Sequence, residues 1–485
     1  MTAQLTNRNK WSYCVGGLRD AQYSLVSMFL MVYVQYTIKL NALQFAVISA
    51  IMIVCKVWDA INDPMMGTII ENAKLKSGKF RPWIIIGALS NAVITLALFL
   101  VRLEGWAFVA FFGVMYLLWG MTFTMNDVGY WSMLPALSND ASERNLITTM
   151  MTIFTSIGAF SVAAVVPMVT ATDKAARYGL CAIVIVALFV ITQSITFFGV
   201  KEKERDFSKK AESITLVKMF KIIKNNDQLL WITLVLCCYY LGSGLLLQFG
   251  TNFCYFEFGY AEGGGIYMIF AVVYLVSTLI SQVIFPKLVA KFKRQKVIAI
   301  GTILAVFGYA VLMMFGYVLP KAVWVIGVAG FGIFAGQNLM YLCMLVQMTN
   351  TIEYNELRTG SRDESIVFSL RSFLAKFTSA LQTGVVTMVL LVSGIFAATE
   401  GISELEAQSN LGAITSEAVT SQAESIIAST PSSALLILRI CMVIIPIVLM
   451  VLAYIIGKAK YTITEEKYEE ILSKLKEKKD AKENA

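Results

Sequence analysis

Residues 81–102 read RPWIIIGALSNAVITLALFLVR, with an arginine at each end and twenty residues between them that carry no charge. A helix of that length just covers a hydrocarbon core about 30 Å thick. Runs of similar length recur from Tyr13 to Gly457 in a chain of 485 residues, 57% of them apolar and only 15% charged. A soluble protein of this size would not leave so few charges for its surface. The fold class is an all-α membrane protein that crosses the bilayer many times.

Apolar runs set against charged gaps predict twelve helices, at 11–38, 43–71, 83–102, 106–135, 146–171, 178–199, 229–256, 265–289, 297–318, 322–349, 366–397 and 434–457. The forty Lys and Arg residues test that count. Alternating sides puts thirty on one side, five on the other (Lys39, Arg102, Lys174, Arg177, Lys321) and five inside helices (Arg19, Lys56, Arg371, Lys376, Arg439). Such an imbalance requires an even number of spans with both termini in the cytoplasm. The net charge of +8 is then a membrane-orientation signal, not a nucleic-acid footprint.

The long basic gap after the sixth helix divides the chain into a six-helix half over 1–200, a cytoplasmic loop over 201–227, a second half over 228–458 and a tail over 459–485. This is the layout of the major facilitator superfamily, in which substrate binds between the halves near the midplane. Two peripheral segments are read plainly. Gly401–Ser433 is expected to be a solvated external loop. In the tail, Thr462-Ile-Thr-Glu465 resembles a capping box leading into a short amphipathic helix.

Composition also excludes chemistry. With no histidine there is no imidazole base, ligand or proton relay. The eight cysteines lie inside apolar segments without a C-x-x-C and read as small buried hydrophobes. No phosphate-binding loop is present, so transport would be driven by a gradient. No nucleophile–base arrangement is visible, so the chain is not expected to be an enzyme and no cofactor is expected. The N-terminus lacks a signal-peptide cleavage site, and the first helix is expected to stay.

Charges inside a membrane helix are expensive and mark function by default. Asp20, Asp59, Asp63 and Asp127 are such residues. Asp59 and Asp63, four apart, share one helix face with Lys56 beside them, and Asn62 adds an amide. Pro64 cannot donate to the carbonyl of Ala60, which would free another oxygen. Clustered hard oxygens suit a sodium-like ion or a proton. Thr124, Asp127 and Trp131 form a second stripe, with Phe123 alongside; a carboxylate beside an aromatic face is a common way to hold a sugar. Arg19, Arg371, Ser372, Lys376 and Ser379 complete the set, and the four acids balance four bases. The competing reading is of ion pairs that only hold helices together. Gln248 with Asn252, and Gln337 with Tyr341, either line a cavity or bond between helices, and Gly242, Gly244, Gly327, Gly330, Gly332 and Gly336 read as close-packing or hinge positions.

Lys56-Val-Trp-Asp59-Ala-Ile-Asn62-Asp63-Pro64-Met-Met-Gly67 and Gly78-Lys-Phe-Arg-Pro-Trp83 resemble the second helix and following loop of the glycoside-pentoside-hexuronide:cation symporters, the melibiose permease group. Asp127-Val-Gly-Tyr-Trp131-Ser-Met-Leu-Pro135, Glu143-Arg-Asn145, Glu353-Tyr-Asn-Glu356-Leu-Arg-Thr-Gly360-Ser-Arg362 and Phe373-Leu-Ala-Lys376 resemble the same family. The resemblance implies a cation site for Na⁺ or H⁺ from Asp59, Asn62, Asp63, Thr124 and Asp127, with Na⁺ held chiefly by Asp59 and Asp63. It implies a sugar site from Arg19, Asp20, Asp127, Trp131, Ser372 and Lys376, and latches involving Lys79, Arg81, Glu143, Arg144, Glu353 and Arg362. It further implies a monomeric symporter of the cell (inner) membrane that binds a sugar and a monovalent cation and no nucleic acid. Thr152 stands where the family has a sugar-binding arginine, Phe123 where it has a tyrosine, Gly129 where Asp-x-Pro is usual, and Asn350 where an aspartate is common. These departures argue against galactoside specificity. A lysolipid:cation symporter and a membrane sugar sensor are the rival readings.

Overall fold

The computed structural model describes residues 7–73, 78–137, 141–170, 174–201, 216–360 and 364–483. The described chain is helical throughout and contains no strand, only an isolated bridge between Phe315 and Leu319. Among the described residues ten helices are long and apolar enough to cross a membrane. One of these, Gly263–Met314, is two helices joined at Lys293, whose φ of 60° is not helical. The predicted first helix is an interrupted run: Asn7–Val15, a 3₁₀ turn at Gly16–Arg19, Asp20–Ser24, a π turn at Leu25–Phe29, and Leu30–Thr37. In an apolar medium the backbone must satisfy its own hydrogen bonds, and 3₁₀ and π turns do so while re-aiming the side chains on either side. The side chains re-aimed here are Arg19 and Asp20.

By internal packing the chain forms two compact units: Met1–Ser213 with Thr251–Ala271 and Thr387–Leu435, and Ile214–Gly250 with Val272–Val386 and Leu436–Ala485. In the first unit, the Ala42–Asn72 helix starts with a reciprocal cap, since Gln44 N donates to Asn41 Oδ1 at 2.9 Å and Asn41 N donates to Gln44 Oε1 at 3.0 Å. The Tyr13 and Tyr130 rings stack 4.5 Å apart, and each hydroxyl donates to the other residue's carbonyl oxygen. This pairing fixes the first helical run against Gly105–Leu137. In the second unit, close backbone approach takes the place of hydrophobic driving force, which lipid does not supply. A Cβ on Gly336 would come within 2.6 Å of the Ala305 nitrogen, so two helices touch through their backbones there.

The 401–433 segment corrects the expectation of a solvated loop. Ile395–Asn410 and Ser416–Ser429 are helices, and the first is tied firmly into the first unit. Thr399 accepts from Gln35, Phe396 packs on Phe45, and the buried Glu406 accepts from the Tyr260 hydroxyl at 2.6 Å and from Lys174 N at 3.3 Å. Polar composition concealed an amphipathic helix whose polar face is partly buried. In the tail, Glu465–Glu483 is the expected helix, but the cap is Thr464, whose hydroxyl accepts from Lys467 N, while Glu465 turns away to Arg294. Its Ile471 and Leu475 are buried, and it packs against the Val323–Thr359 helix.

Candidate functional site

The charged residues of the first unit converge. Arg19 is 2% exposed, and its guanidinium pairs directly with Asp127, reaches Asn126 Oδ1 at 3.3 Å and stands 3.9 Å from Asp20. It also lies over the Tyr130 ring at 4.6 Å and the Phe123 ring at 5.8 Å. The buried arginine stands between two carboxylates and two aromatic faces, its Nε without a hydrogen-bond partner among the described residues, whereas Asp20 and Asp127 each keep a partly open edge. Asn126 positions the pair: its amide donates to the Ile84 carbonyl at 2.8 Å and to Gln193 at 3.1 Å, while Gln193 donates to Gly16 O at 2.9 Å.

The second carboxylate pair lies on Ala42–Asn72. Thr124 Oγ1 donates to Asp63 Oδ1 at 3.1 Å, across to Gly105–Leu137. Asp59 rests on Gly120, where any Cβ would meet its carboxylate, and Lys56 is in its electrostatic range. Asn62, next to Asp63 in sequence, is buried, and its amide nitrogen has no hydrogen-bond partner among the described residues. Tyr23 falls within electrostatic range of Asp20, Asp59, Asp63 and Asp127 together, and stacks on Phe123 at 4.9 Å. Two carboxylates, a hydroxyl and an amide are a donor set that fits a monovalent cation or a proton. Among the described residues no three Cys, Asp or Glu side chains form a metal cluster.

Trp131 is 44% exposed on the same helix as Thr124 and Asp127. Ser372 is exposed and Lys376 partly buried on Glu364–Ser393, in the second unit. Thr152 spends its hydroxyl on the Thr148 carbonyl at 2.8 Å within its own helix. Of the expected latch residues, Arg81 donates to the Phe197 carbonyl at 2.7 Å, Lys79 lies over the Phe80 ring, and Glu353 is half-buried. Arg362 and the side chains of Glu143 and Arg144 lie outside the described residues. An unforeseen ion pair joins Arg358 to Asp227 at 2.9 Å, with the Tyr354 hydroxyl donating to the same carboxylate. Gln248 bonds to Gln382 at 2.9 Å, and Gln337 to the Tyr309 hydroxyl at 3.0 Å, both between helices.

Sequence reasoning missed Tyr23, Asn126 and Gly120. The first two are ordinary residues in apolar helices, and only a polar amide repeated at Asn91, Asn126 and Gln193 in neighbouring spans hinted at a network.

A family model described as MFS/sugar transport protein matches residues 18–465. The raffinose carrier protein of Pediococcus pentosaceus is 27% identical over 396 residues, covering 78% of this chain and 61% of that protein. The lactose permease of Lactobacillus delbrueckii subsp. bulgaricus is 26% identical over 488 residues, covering 96% of this chain and 72% of that protein. The chain thus spans well under the full length of these curated relatives. Among solved structures, a bacterial homolog to the human lysosomal transporter Spinster is 11% identical, with a TM-score of 0.66, covering 94% of this chain and 98% of that one. At that identity the likeness carries the fold alone.

Proposed function

The chain belongs to the MFS/sugar transport protein family, the glycoside-pentoside-hexuronide type of multi-pass membrane transporter, and from that premise we propose that it is a sugar:cation symporter working by alternating access. The observation that carries the proposal is the pairing of two adjacent carboxylate sites inside membrane helices: Arg19 with Asp20 and Asp127, and Asp59 with Asp63 and Thr124.

In this reading Asp59, Asn62, Asp63 and Thr124, with Asp127 at their margin, take Na⁺ or H⁺. Arg19, Asp20 and Asp127 take sugar hydroxyls, and Trp131 covers an apolar sugar face. Ser372 and Lys376 enter on the family resemblance alone. A cation bound at this site puts a positive charge beside Asp127 that competes with Arg19 for its carboxylate, which leaves Asp127 less committed to Arg19 and freer to accept from a sugar. Coupling is reciprocal, so each ligand tightens the other by the same factor.

The proposed topology has twelve spans with both termini cytoplasmic in the cell (inner) membrane, divided at 1–200, 201–227, 228–458 and 459–485. Ten long apolar helices, one of them double at Lys293, and the interrupted run over 7–37 support that count. The protein is read as a monomer without a cofactor and without enzymatic activity. The relatives' names favour a sugar over a lysolipid substrate.

The test is reconstitution in liposomes with radiolabelled raffinose, lactose, pentosides and hexuronides, under an inward Na⁺ gradient and separately an inward proton gradient. Accumulation of one sugar under one gradient is the expected result. A folded protein that moves no sugar under either gradient would overturn the proposal and make lysolipids the next substrates to try.

A further inference from the structure

One cavity in the second unit lies outside everything assigned above. Val235, Gln295, Lys296, Gln347, Tyr454 and Lys458, drawn from four helices, line it together. None of its lining residues is acidic. Lys296 makes no hydrogen bond or ion pair among the described residues, although its neighbours Lys293 and Arg294 are both committed, to Glu466 and Glu465. Lys458 has an aromatic neighbour, the Tyr454 ring at 5.8 Å, and no carboxylate partner among the described residues.

What lies beneath these lysines identifies the ligand. Ile300 and Ile303 follow Lys296 at i+4 and i+7 on one helix face, and Ile455 precedes Lys458 at i−3; all three are exposed, Ile303 by 70%. Both ammonium groups therefore stand at the end of apolar, outward-facing stripes. Lys460 lies over Trp231 at 5.2 Å, and Trp231 and Tyr454 are of the aromatic types enriched at the edge of a bilayer. Basic pockets between membrane helices suit anionic lipid headgroups. A free phosphate would use the lysines and ignore the stripes.

We propose that this cavity binds the phosphate headgroup of an anionic phospholipid, with Lys296 and Lys458 as its cationic partners and an acyl chain lying along Ile300, Ile303 and Ile455. The site rests on the chain crossing a membrane, and on neither a sugar nor a coupling ion.

The experiment titrates the purified full-length protein in neutral detergent with phosphatidylglycerol, phosphatidylcholine and inorganic phosphate, reading bound lipid by native mass spectrometry and protection by the unfolding midpoint. Phosphatidylglycerol should bind and protect, and K296Q/K458Q should weaken it about 30-fold. K296R/K458R should retain most of the affinity, and K224Q, at an exposed lysine of the Leu216–Asn225 helix that does not line the cavity, all of it. Equal binding of phosphatidylcholine, equal protection by phosphate alone, or unchanged phosphatidylglycerol affinity in K296Q/K458Q would each overturn the assignment. Selective phosphatidylglycerol binding by a protein that transports no sugar would sink the proposed function and leave this site standing.

Discussion

Thr124 donates its hydroxyl hydrogen to a carboxylate oxygen of Asp63 at 3.1 Å, joining two membrane helices 61 residues apart in sequence. The bond places a neutral oxygen next to a charged one, as a small cation requires, and it predicts a graded effect. Thr124→Ser should keep cation affinity within a few-fold. Thr124→Ala should weaken it about tenfold, as loss of a hydrogen bond to a charged group implies. Cation titrations of sugar binding read both.

Arg19 and Asp127 predict a stability effect. Removing Asp127 leaves the buried Arg19 guanidinium with only the more distant Asp20, so Asp127→Ala should destabilise the protein by about 3–5 kcal/mol, against much less for the double change Arg19→Ala with Asp127→Ala. Thermal unfolding in detergent measures both. Additive losses would show that the two residues do not act as a pair.

Glu406 and Glu404 sit two residues apart on the Ile395–Asn410 helix and predict opposite outcomes. Glu406 is 1% exposed and accepts from Tyr260 and the Lys174 backbone, so Glu406→Ala should cost about 1–3 kcal/mol and speed hydrogen exchange across 395–429. Glu404 pairs with Lys39 at 2.7 Å, but both side chains are half in solvent, and Glu404→Gln should change neither quantity measurably.

The tail helix predicts a pH dependence. A hydrogen bond from Lys293, followed by its own helix-terminal amide, holds the Glu466 carboxylate at about 2, below its ordinary 4.5. Burial works against the Glu465 carboxylate, but hydrogen bonds from Arg294 outweigh it and keep its pKa low. A depressed carboxylate stabilises the docked form above its free pKa and loses that contribution as pH falls through the bound value. Tail docking should therefore be constant above about 4.5 and weaken towards 2, read by the distance between spin labels on the tail and on the Val323–Thr359 helix. Glu466→Gln should flatten the lower end of that profile.

The spans were legible because membrane thickness forces long apolar runs, and Asp20, Asp59, Asp63 and Asp127 were legible because charge stands out inside them. Thr124 was legible by its spacing from Asp127. Other features depend on what a residue meets after folding. Tyr23 gains importance only because folding brings it within electrostatic range of four carboxylates, and Gly120 only because Asp59 lies on it. The break at Gly16–Arg19, which aims Arg19 inward, leaves no mark in hydropathy. The hairpin over 395–429 was concealed because its anchors, Gln35, Lys174 and Tyr260, lie more than a hundred residues away.

The central claim is that a cation at Asp63 strengthens sugar binding. The most direct measurement is the sugar Kd of wild type and Asp63→Asn, with and without Na⁺ and across pH, using the sugar identified by uptake. The cation should tighten binding in wild type, and Asp63→Asn should still bind sugar but lose the stimulation. Full stimulation in Asp63→Asn would make that carboxylate structural and contradict the account.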